Sequence, residues 1–253
     1  MKSVLISILK KSLSVSRKRT LKRFYERVAS VFCAHDLVKL ATIYGTDKWN
    51  AHWYAQHYQA HFSKLRNQPL KILEIGVGGD TDPQNGGASL RMWKKFFPHA
   101  EIYSMDIHDK SALQESRIKI FHGSQADEKL LKQISTEAGP FDIIIDDGSH
   151  RNEHVLTSFR VLFPLLADGG IYAAEDIQTS YWPSFGGDSA NLNNSATSVG
   201  FFKGLVDGLN HVEFDKPAYA PSYYDQNITA IHFYHNLIFI YKGKNLEKSY
   251  GTR

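Results

Sequence analysis

The sequence predicts an α/β protein with a mostly parallel sheet of about seven strands, closed by an antiparallel hairpin and preceded by helices. Two observations support this prediction. After Pro69, short β-branched apolar runs alternate with segments of helical length, which is the rhythm of a parallel sheet covered on both faces. Near the end, His235 and Asn236 separate two strand-like runs, as in a hairpin.

The bulk composition is typical of a globular protein. The 253 residues suit one large domain, because 42% hydrophobic and 22% charged residues are ordinary values for a chain that buries one core. The single Cys33 cannot form an internal disulfide, and no apolar run reaches the roughly 20 residues of a membrane-spanning helix. We therefore expect a reducing, cytoplasmic location.

Positive charge is concentrated at the N-terminus. Residues 1–30 contain nine Lys or Arg against Glu26 alone, which makes this segment +8 and, with a total of +4, leaves the remainder at −4. The remainder therefore offers no electrostatic basis for nucleic-acid binding. We predict a basic amphipathic segment at 1–34 and a single domain at 35–253. The segment suits either peripheral membrane contact through residues 1–30 or a helix ahead of the domain that is solvated or packs in a homo-oligomer.

The elements follow in order from the apolar pattern. Residues 35–62 have a helical pattern interrupted at Tyr44–Lys48, where Gly45 suits a turn and the Thr-Asp pair suits an N-cap. The predicted strands are Lys71–Ile75, Glu101–Asp106, Arg117–Phe121, Phe141–Asp146, Ile171–Glu175, Ile228–Tyr234 and Leu237–Tyr241. The predicted helices of this region are Ala88–Phe97, Asp127–Ile134, His150–Leu166 and Ser198–Leu209. Ser180–Thr197 is rich in Ser, Gly and Asn, as a functional loop or lid often is.

Three predicted strand ends have the polarity of an adenosine site. Gly76 and Gly78 let a ligand approach the backbone, although a purely structural turn would also use them; a dinucleotide fingerprint would need a third glycine at Thr81. Asp106 can accept both hydroxyls of a ribose. Gln125 or Asp127 can meet an adenine amino group, and Asp127 equally suits a helix N-cap. Together these ends predict adenosine held without a phosphate cradle.

The fourth strand ends in the run Asp146-Asp147-Gly148-Ser149-His150. Ligands of open α/β sheets bind beyond the carboxyl ends of the strands, so these side chains stand where chemistry is expected. The alternative is that Asp146, Asp147 and Ser149 only cap the following helix and that His150 is a surface residue.

Four motifs, Glu74–Gly79, Gly86–Trp93, Asp146–His150 and Glu175–Trp182, resemble class I S-adenosylmethionine (SAM)-dependent methyltransferases. More narrowly they are similar to the macrocin and mycinamicin sugar O-methyltransferases of macrolide biosynthesis. The likeness runs from about Tyr44 to the final hairpin. It implies a Rossmann-like fold, SAM and a divalent cation, usually Mg²⁺. Such enzymes can carry an additional N-terminal domain, for which this chain has no room, so we expect as acceptor a sugar hydroxyl of a saccharide or glycosylated metabolite, in antibiotic or polysaccharide biosynthesis.

The resemblance also implies roles for individual residues. The cofactor residues it indicates are Glu74, Gly76, Gly78, Ser89, Asp106, and Gln125 or Asp127, with Asp146 open between cap and cofactor ligand. Asp147 and Asp176 would hold the cation, and they also suit this independently because they close successive strands and offer the oxygen ligands that Mg²⁺ prefers. His150 would take the proton from the sugar hydroxyl as general base. The predicted acceptor residues are Tyr181 and Trp182 of the loop, with Thr46 and Lys48 of the Tyr44–Lys48 turn.

Two other functions compete with this one. His150 and His154 form an H-x-x-E-H pattern, which would indicate a metal-dependent hydrolase if a third ligand were present. Its Asp-Asp-Gly-Ser lead-in does not suit that motif. A non-catalytic SAM-binding, membrane-associated module that uses the basic N-terminus is the second alternative.

Overall fold

The computed structural model describes residues 14–250, and the chain divides into two compact units. Within the described residues, the first comprises residues 14–67 and 91–98, and the second comprises residues 68–90 and 99–250. The predicted boundary at residue 34 stays a prediction. Residues 1–13 of the predicted basic segment lie outside the described residues.

The first unit is helical. Its helices are α1 (Val15–Ala29), α2 (Leu37–Tyr44), α3 (Tyr54–Phe62) and most of α4 (Ala88–Phe96), with short 3-10 turns at Ser30–Cys33 and Ser63–Leu65. The predicted interruption is confirmed: α2 ends at Gly45, whose φ of +67° is available to glycine at little cost. Aromatic edge contacts build the core, with the Trp93 ring 5.0 Å from Tyr58 and 6.0 Å from Phe62, and all three are fully buried.

A buried ion pair holds α1 in the first unit. Glu26 and Arg91 are both buried, and Arg91 Nε donates to Glu26 Oε2 at 3.1 Å. Lys22 Nζ lies 3.8 Å from the other carboxylate oxygen. Because a buried charge without its partner is costly, this pair fixes which face of α1 points inward.

The second unit contains a seven-stranded sheet in the order β3-β2-β1-β4-β5-β7-β6. The strands are β1 (Lys71–Ile75), β2 (Glu101–Asp106), β3 (Ile118–His122), β4 (Ile143–Asp146), β5 (Ile171–Glu175), β6 (Ile228–Tyr234) and β7 (Leu237–Lys242). The first five pair in parallel, whereas β7 is antiparallel to both β5 and β6. The predicted Rossmann-like sheet and closing hairpin are confirmed.

The helices of this unit differ at their ends from the predicted ones. They are α5 (Glu128–Ala138), α6 (Asn152–Leu162), α7 (Ser198–Gly204) and α8 (Tyr223–Asn227). Helix α6 begins two residues later than predicted because His150 has a φ of +55°, which a right-handed helix does not allow, and it ends before Pro164. The predicted helix Ser198–Leu209 stops at Gly204, and a 3-10 stretch follows at Asp207–Glu213.

Apolar side chains of β1, β2, β4 and β5 pack with those of α5 and α6 in one buried cluster. Phe159 of α6 is its aromatic centre, with ring centroids 5.2 Å from Tyr172 and 5.0 Å from Phe202. The apolar cluster lies along the strands, and polar residues such as Asp106, Asp146 and Glu175 stand at their carboxyl ends. Within residues 14–250, no helix combines the length and the apolar character needed to cross a membrane.

We predict that Arg91→Ala lowers the free energy of unfolding by about 3 kcal/mol, because the buried Glu26 carboxylate loses its hydrogen-bonded partner. Urea unfolding followed by tryptophan fluorescence measures the change. Lys132→Ala is the matched control: its pair with Glu128 is 3.2 Å long but 60% exposed on both sides, so it should cost no more than about 0.5 kcal/mol. Equal losses in the two variants would contradict the structural role of the Glu26–Arg91 pair.

Candidate active site

Three neighbouring parallel strands bring acidic residues to one edge of the sheet. Strand β4 lies between β1 and β5, and its register pairs Asp146 with Ile75 and with Ala174. Asp147 therefore follows at the level of Glu175, and its N–H donates to the carbonyl of Ile75 at 3.0 Å. Glu74 and Glu175 are buried, whereas Asp147 is partly exposed.

Two overlapping groups of side chains at this edge lie close enough together to hold a metal ion. In one group, single ligand atoms of Asp147, His150 and Asp176 all lie within 4.8 Å of one another, and in the other the same holds for Glu74, Asp147 and Glu175. Asp147 belongs to both. Sequence analysis missed Glu175, although the Glu175-Asp176 doublet repeats the Asp146-Asp147 doublet of the preceding strand.

The backbone at His150 and Asp176 is in the left-handed region, with φ values of +55° and +53°. This conformation is unfavourable for residues with a side chain and is concentrated at functional sites, where the surrounding structure enforces it. Here it turns both side chains toward each other, so that His150 Nε2 lies 3.6 Å from Asp176 Oδ2. The imidazole and the carboxylate are partly exposed, as a group that meets a substrate must be.

A buried hydrogen-bond network supports the turn from behind. Tyr172 Oη donates to Asp146 Oδ2 at 2.9 Å, and Gln125 Nε2 donates to Asp146 Oδ1 at 3.0 Å. Gln125 Oε1 accepts from the N–H of Ser149 at 2.6 Å, which ties the network to the turn that carries His150. Burial raises the pKa of Asp146 to about 6, and burial followed by the charge of Asp146 raises the pKa of Tyr172 well above its usual range, so Tyr172 stays a donor.

The glycine turn after β1 is tied to β2. Asp106 accepts from the N–H of Val77 at 2.9 Å through one oxygen and from the N–H of His108 at 2.8 Å through the other. Each oxygen keeps a second lone pair for a ligand hydroxyl. A Cβ at Gly78 would meet no atom within 4 Å, which leaves open space above the turn.

The polar insertion at residues 80–87, which follows this turn, is held by a buried lysine. Lys110 is fully buried, and its ammonium donates to the carbonyl oxygens of Asp82 at 2.8 Å and Asn85 at 3.2 Å. Just after the insertion, at the start of α4, Ser89 Oγ donates to Glu74 Oε2 at 2.8 Å. These contacts hold the insertion in one conformation next to the open space at Gly78.

The long loop after β5 is anchored to α6 through Asn152, a residue that sequence analysis did not single out. Its side-chain amide donates to the carbonyls of Thr179 and Phe185, each at 3.0 Å, and its Oδ1 accepts from the N–H of Ser198 at 2.7 Å. Asn152 lies two residues after His150. The turn that bears the predicted base and the predicted lid therefore share one buried anchor.

The structure brings some of the predicted site residues together and gives others internal partners. Asp147, His150 and Asp176 converge, and Glu74 and Ser89 are hydrogen-bonded. Asp127 is the N-cap of α5, and the polar atoms of Gln125 bind protein groups, so neither shows a direct sign of adenine binding. Asp146 is buried in its network.

The predicted acceptor residues differ in exposure. Tyr181 and Trp182 are 39% and 48% exposed, and the rings of Trp182 and Phe185 lie 5.9 Å apart. Thr46 and Lys48 are buried and belong to the first unit. The roles of all four stay predictions.

The alternative metal pair of His150 and His154 is not supported. Among residues 14–250, the groups that could hold a metal do not include His154. Its Nδ1 lies 2.8 Å from Ser149 Oγ, which gives it a partner in the turn instead.

Comparisons with known proteins point to one family. A family profile described as "Methyltransferase domain" matches residues 28–177. The mycinamicin VI 2''-O-methyltransferase of Micromonospora griseorubida is 49% identical over 86% of this chain and 55% of that protein. The demethylmacrocin O-methyltransferase of Streptomyces fradiae is 49% identical over 84% and 54%.

A third relative, the 8-demethyl-8-alpha-L-rhamnosyl tetracenomycin-C 2'-O-methyltransferase of Streptomyces olivaceus, is 46% identical over 83% of this chain and 55% of that protein. Among solved structures, the MycE methyltransferase from the mycinamycin biosynthetic pathway, in complex with Mg, SAH and mycinamycin VI, superposes with a TM-score of 0.82 at 48% identity. That match covers 86% of this chain and 56% of MycE. The chain thus spans about half the length of the relatives it matches.

We predict that Gly76→Ala destabilises the protein by roughly 3 kcal/mol or more, because Gly76 has a φ of +98° and a Cβ there would overlap the carbonyl oxygen of Asp147. Gly169→Ala is the matched control, since it has a φ of +79° but open space around the added Cβ. It should cost only about 1 kcal/mol. Urea titration of both variants measures the difference, and equal costs would show that β1 and β4 do not approach this closely.

Proposed function

The chain belongs to the methyltransferase domain family, and we propose that it transfers the methyl group of SAM to a sugar hydroxyl of a saccharide or glycosylated metabolite, with a divalent cation, Mg²⁺. The observation that carries the proposal is the convergence of Asp147, His150 and Asp176 beside the glycine turn. The relatives support the acceptor class, because their names describe O-methyltransferases, one of them of a rhamnosyl compound. The MycE complex contains Mg and SAH.

The residues at the sheet edge fit a hard divalent cation. Mg²⁺ takes oxygen ligands in an octahedral array and keeps several waters, so two or three carboxylates are enough. Asp147 and Asp176 would be two of these ligands. We add Glu175 as the third, because it closes the neighbouring strand and groups with Asp147. Carboxylates this close together repel one another unless a cation lies among them.

The strand ends on the other side of β1 fit SAM. The open space above Gly78 would admit the cofactor, and Gly76 keeps the turn tight against β4. Asp106 would accept the ribose hydroxyls, and Glu74 with Ser89 would meet the methionine end. Glu74 is a carboxylate and suits the cationic amino group there. Asp146 and Gln125 would act indirectly, because they hold the turn that carries Ser149 and His150.

When bound, SAM supplies the electrophilic methyl group, and the cation supplies positive charge that makes a nearby hydroxyl more acidic. The chain's own residues handle the proton. His150 Nε2 would accept this proton from the sugar hydroxyl as general base. The resulting imidazolium would lie 3.6 Å from the carboxylate of Asp176, whose charge would stabilise it.

The acceptor would lie against the anchored loop. The half-exposed rings of Tyr181 and Trp182 offer flat apolar surfaces to a sugar. The loop that carries them is anchored by Asn152, which lies two residues after His150. Holding the hydroxyl and the methyl group in line would contribute much of the rate. A role of Thr46 and Lys48 in binding the acceptor stays a prediction. So do the homo-oligomer and the cytoplasmic location.

We predict that the protein binds SAM in isothermal titration calorimetry and transfers its labelled methyl group to sugar-bearing acceptors. Transfer should stop with EDTA and return with Mg²⁺, because the acidic cluster needs its cation. Asp147→Asn should abolish transfer and weaken Mn²⁺ binding measured by electron paramagnetic resonance, whereas Asp168→Asn, an exposed acid outside the site, should leave both unchanged. A protein that binds no SAM would refute the proposal.

We predict that His150→Ala lowers kcat by at least about a hundredfold while SAM affinity stays the same, because the base is lost and the cofactor contacts remain. His154→Ala is the control, since His154 lies four residues further along the same segment. It should keep most of the activity. Loss of activity in His154→Ala with full activity in His150→Ala would reverse the assignment.

A further inference from the structure

Helix α1 presents its polar side to its own unit. Apart from Ala29 at its last position, the residues of α1 with reduced exposure are Arg19, Arg23 and Glu26, and the stripe continues to Ser30, at spacings of three and four. This spacing keeps them on one face of a helix. An ordinary surface helix buries an apolar stripe instead. The polarity of α1 is therefore reversed.

The opposite side of α1 is apolar and exposed. Leu21, Phe24, Tyr25 and Val28 are 55%, 66%, 58% and 50% exposed. The 3-10 turn after α1 extends the same side with Phe32, which is 87% exposed, and Val31, which is 58% exposed. These six residues are called the apolar face of α1 below. Single exposed apolar residues are normal on a protein surface, but six in one contiguous stretch mark an interaction site.

The helix cannot relieve this exposure by rotating. Rotation would carry Glu26 into solvent and leave the buried Arg91 without the acceptor that it reaches at 3.1 Å. It would also separate Tyr44 Oη from Ser30 Oγ, 3.4 Å apart in the buried interior of the unit. The internal ion pair thus keeps the apolar face outward.

Charge decides what can cover this face. Arg17, Lys18, Lys22 and Arg27 are exposed on α1, and the only acidic residue of the helix, Glu26, is on the buried side. A second copy docked face to face across a two-fold axis would bring two sets of these positively charged side chains together, and they would repel each other. A surface of anionic headgroups would neutralise them while apolar side chains enter the acyl boundary.

We propose that α1 and the turn Ser30–Cys33 dock this protein on an anionic phospholipid membrane, with the apolar face of α1 inserted at the headgroup level. The basic residues at the sides of the helix bind the headgroups. The docking is peripheral. It uses residues of the first unit, whereas the candidate active site belongs to the second unit. It does not depend on the methyltransferase activity.

Co-sedimentation of the full chain with vesicles tests the proposal. Binding should be strong to vesicles of phosphatidylglycerol and phosphatidylcholine, weak to phosphatidylcholine alone, and reduced by salt. The triple variant Leu21→Gln, Phe24→Gln, Val28→Gln should weaken binding by about a hundredfold, because it removes the inserted apolar area. Glutamine maintains helix propensity, and unchanged circular dichroism and SAM binding would show that the fold is intact.

A second triple, Arg17→Gln, Lys18→Gln, Arg27→Gln, should weaken binding to anionic vesicles by about a hundredfold. The matched controls are Val206→Gln, Val212→Gln, Leu246→Gln for the apolar set and Lys64→Gln, Lys129→Gln, Lys248→Gln for the basic set, all exposed. Both controls should bind like the unchanged protein.

Two results would overturn the proposal. Vesicle binding that survives both α1 triples would assign docking to another segment. Absence of vesicle binding, together with a dimer in light scattering that the apolar triple dissociates, would show that a second copy covers the face.

Discussion

The parallel pairing of β4 between β1 and β5 is the constraint on which the candidate site depends. Because successive side chains of a strand alternate between faces, the register of these three strands decides which acidic residues can meet. Asp146 pairs with Ile75 and Ala174, so Asp147 reaches the sheet edge between Glu74 and Glu175. A glycine at position 76 is required for this approach, since any side chain there would overlap the Asp147 carbonyl.

Such a site opposes stability in two ways, and the rest of the unit offsets both. Neighbouring carboxylates repel, and His150 and Asp176 adopt left-handed backbone conformations. The network of Tyr172, Gln125 and Asp146 and the anchor at Asn152 hold the turns rigidly from behind. A cation among the carboxylates, as proposed, would neutralise their mutual repulsion and would explain why several acidic side chains lie close together at one edge of the sheet.

In the first unit, too, buried polar contacts fix the orientation of an element, here the helix α1. The two partners of the Glu26–Arg91 pair are buried, so separating them is costly, and the pair therefore sets the rotation of α1. The consequence is an apolar, positively charged outer surface, which the proposed membrane docking would use. An engineered apolar replacement of the pair would therefore have to preserve that rotation to preserve the surface.

The order and type of the strands, the closing hairpin, the family and the acidic character of the strand ends could all be predicted from the sequence, because β-branched runs, glycine turns and charged doublets are local patterns. It did not identify Glu175 beside Asp147, the engagement of Gln125 with Asp146 and Ser149, or Asn152 as the anchor of the loop. It also placed the start of α6 at His150, where a left-handed backbone excludes a helix. These features depend on contacts between residues far apart in the chain, or on strain that the packed fold enforces, so they become visible once the chain has folded.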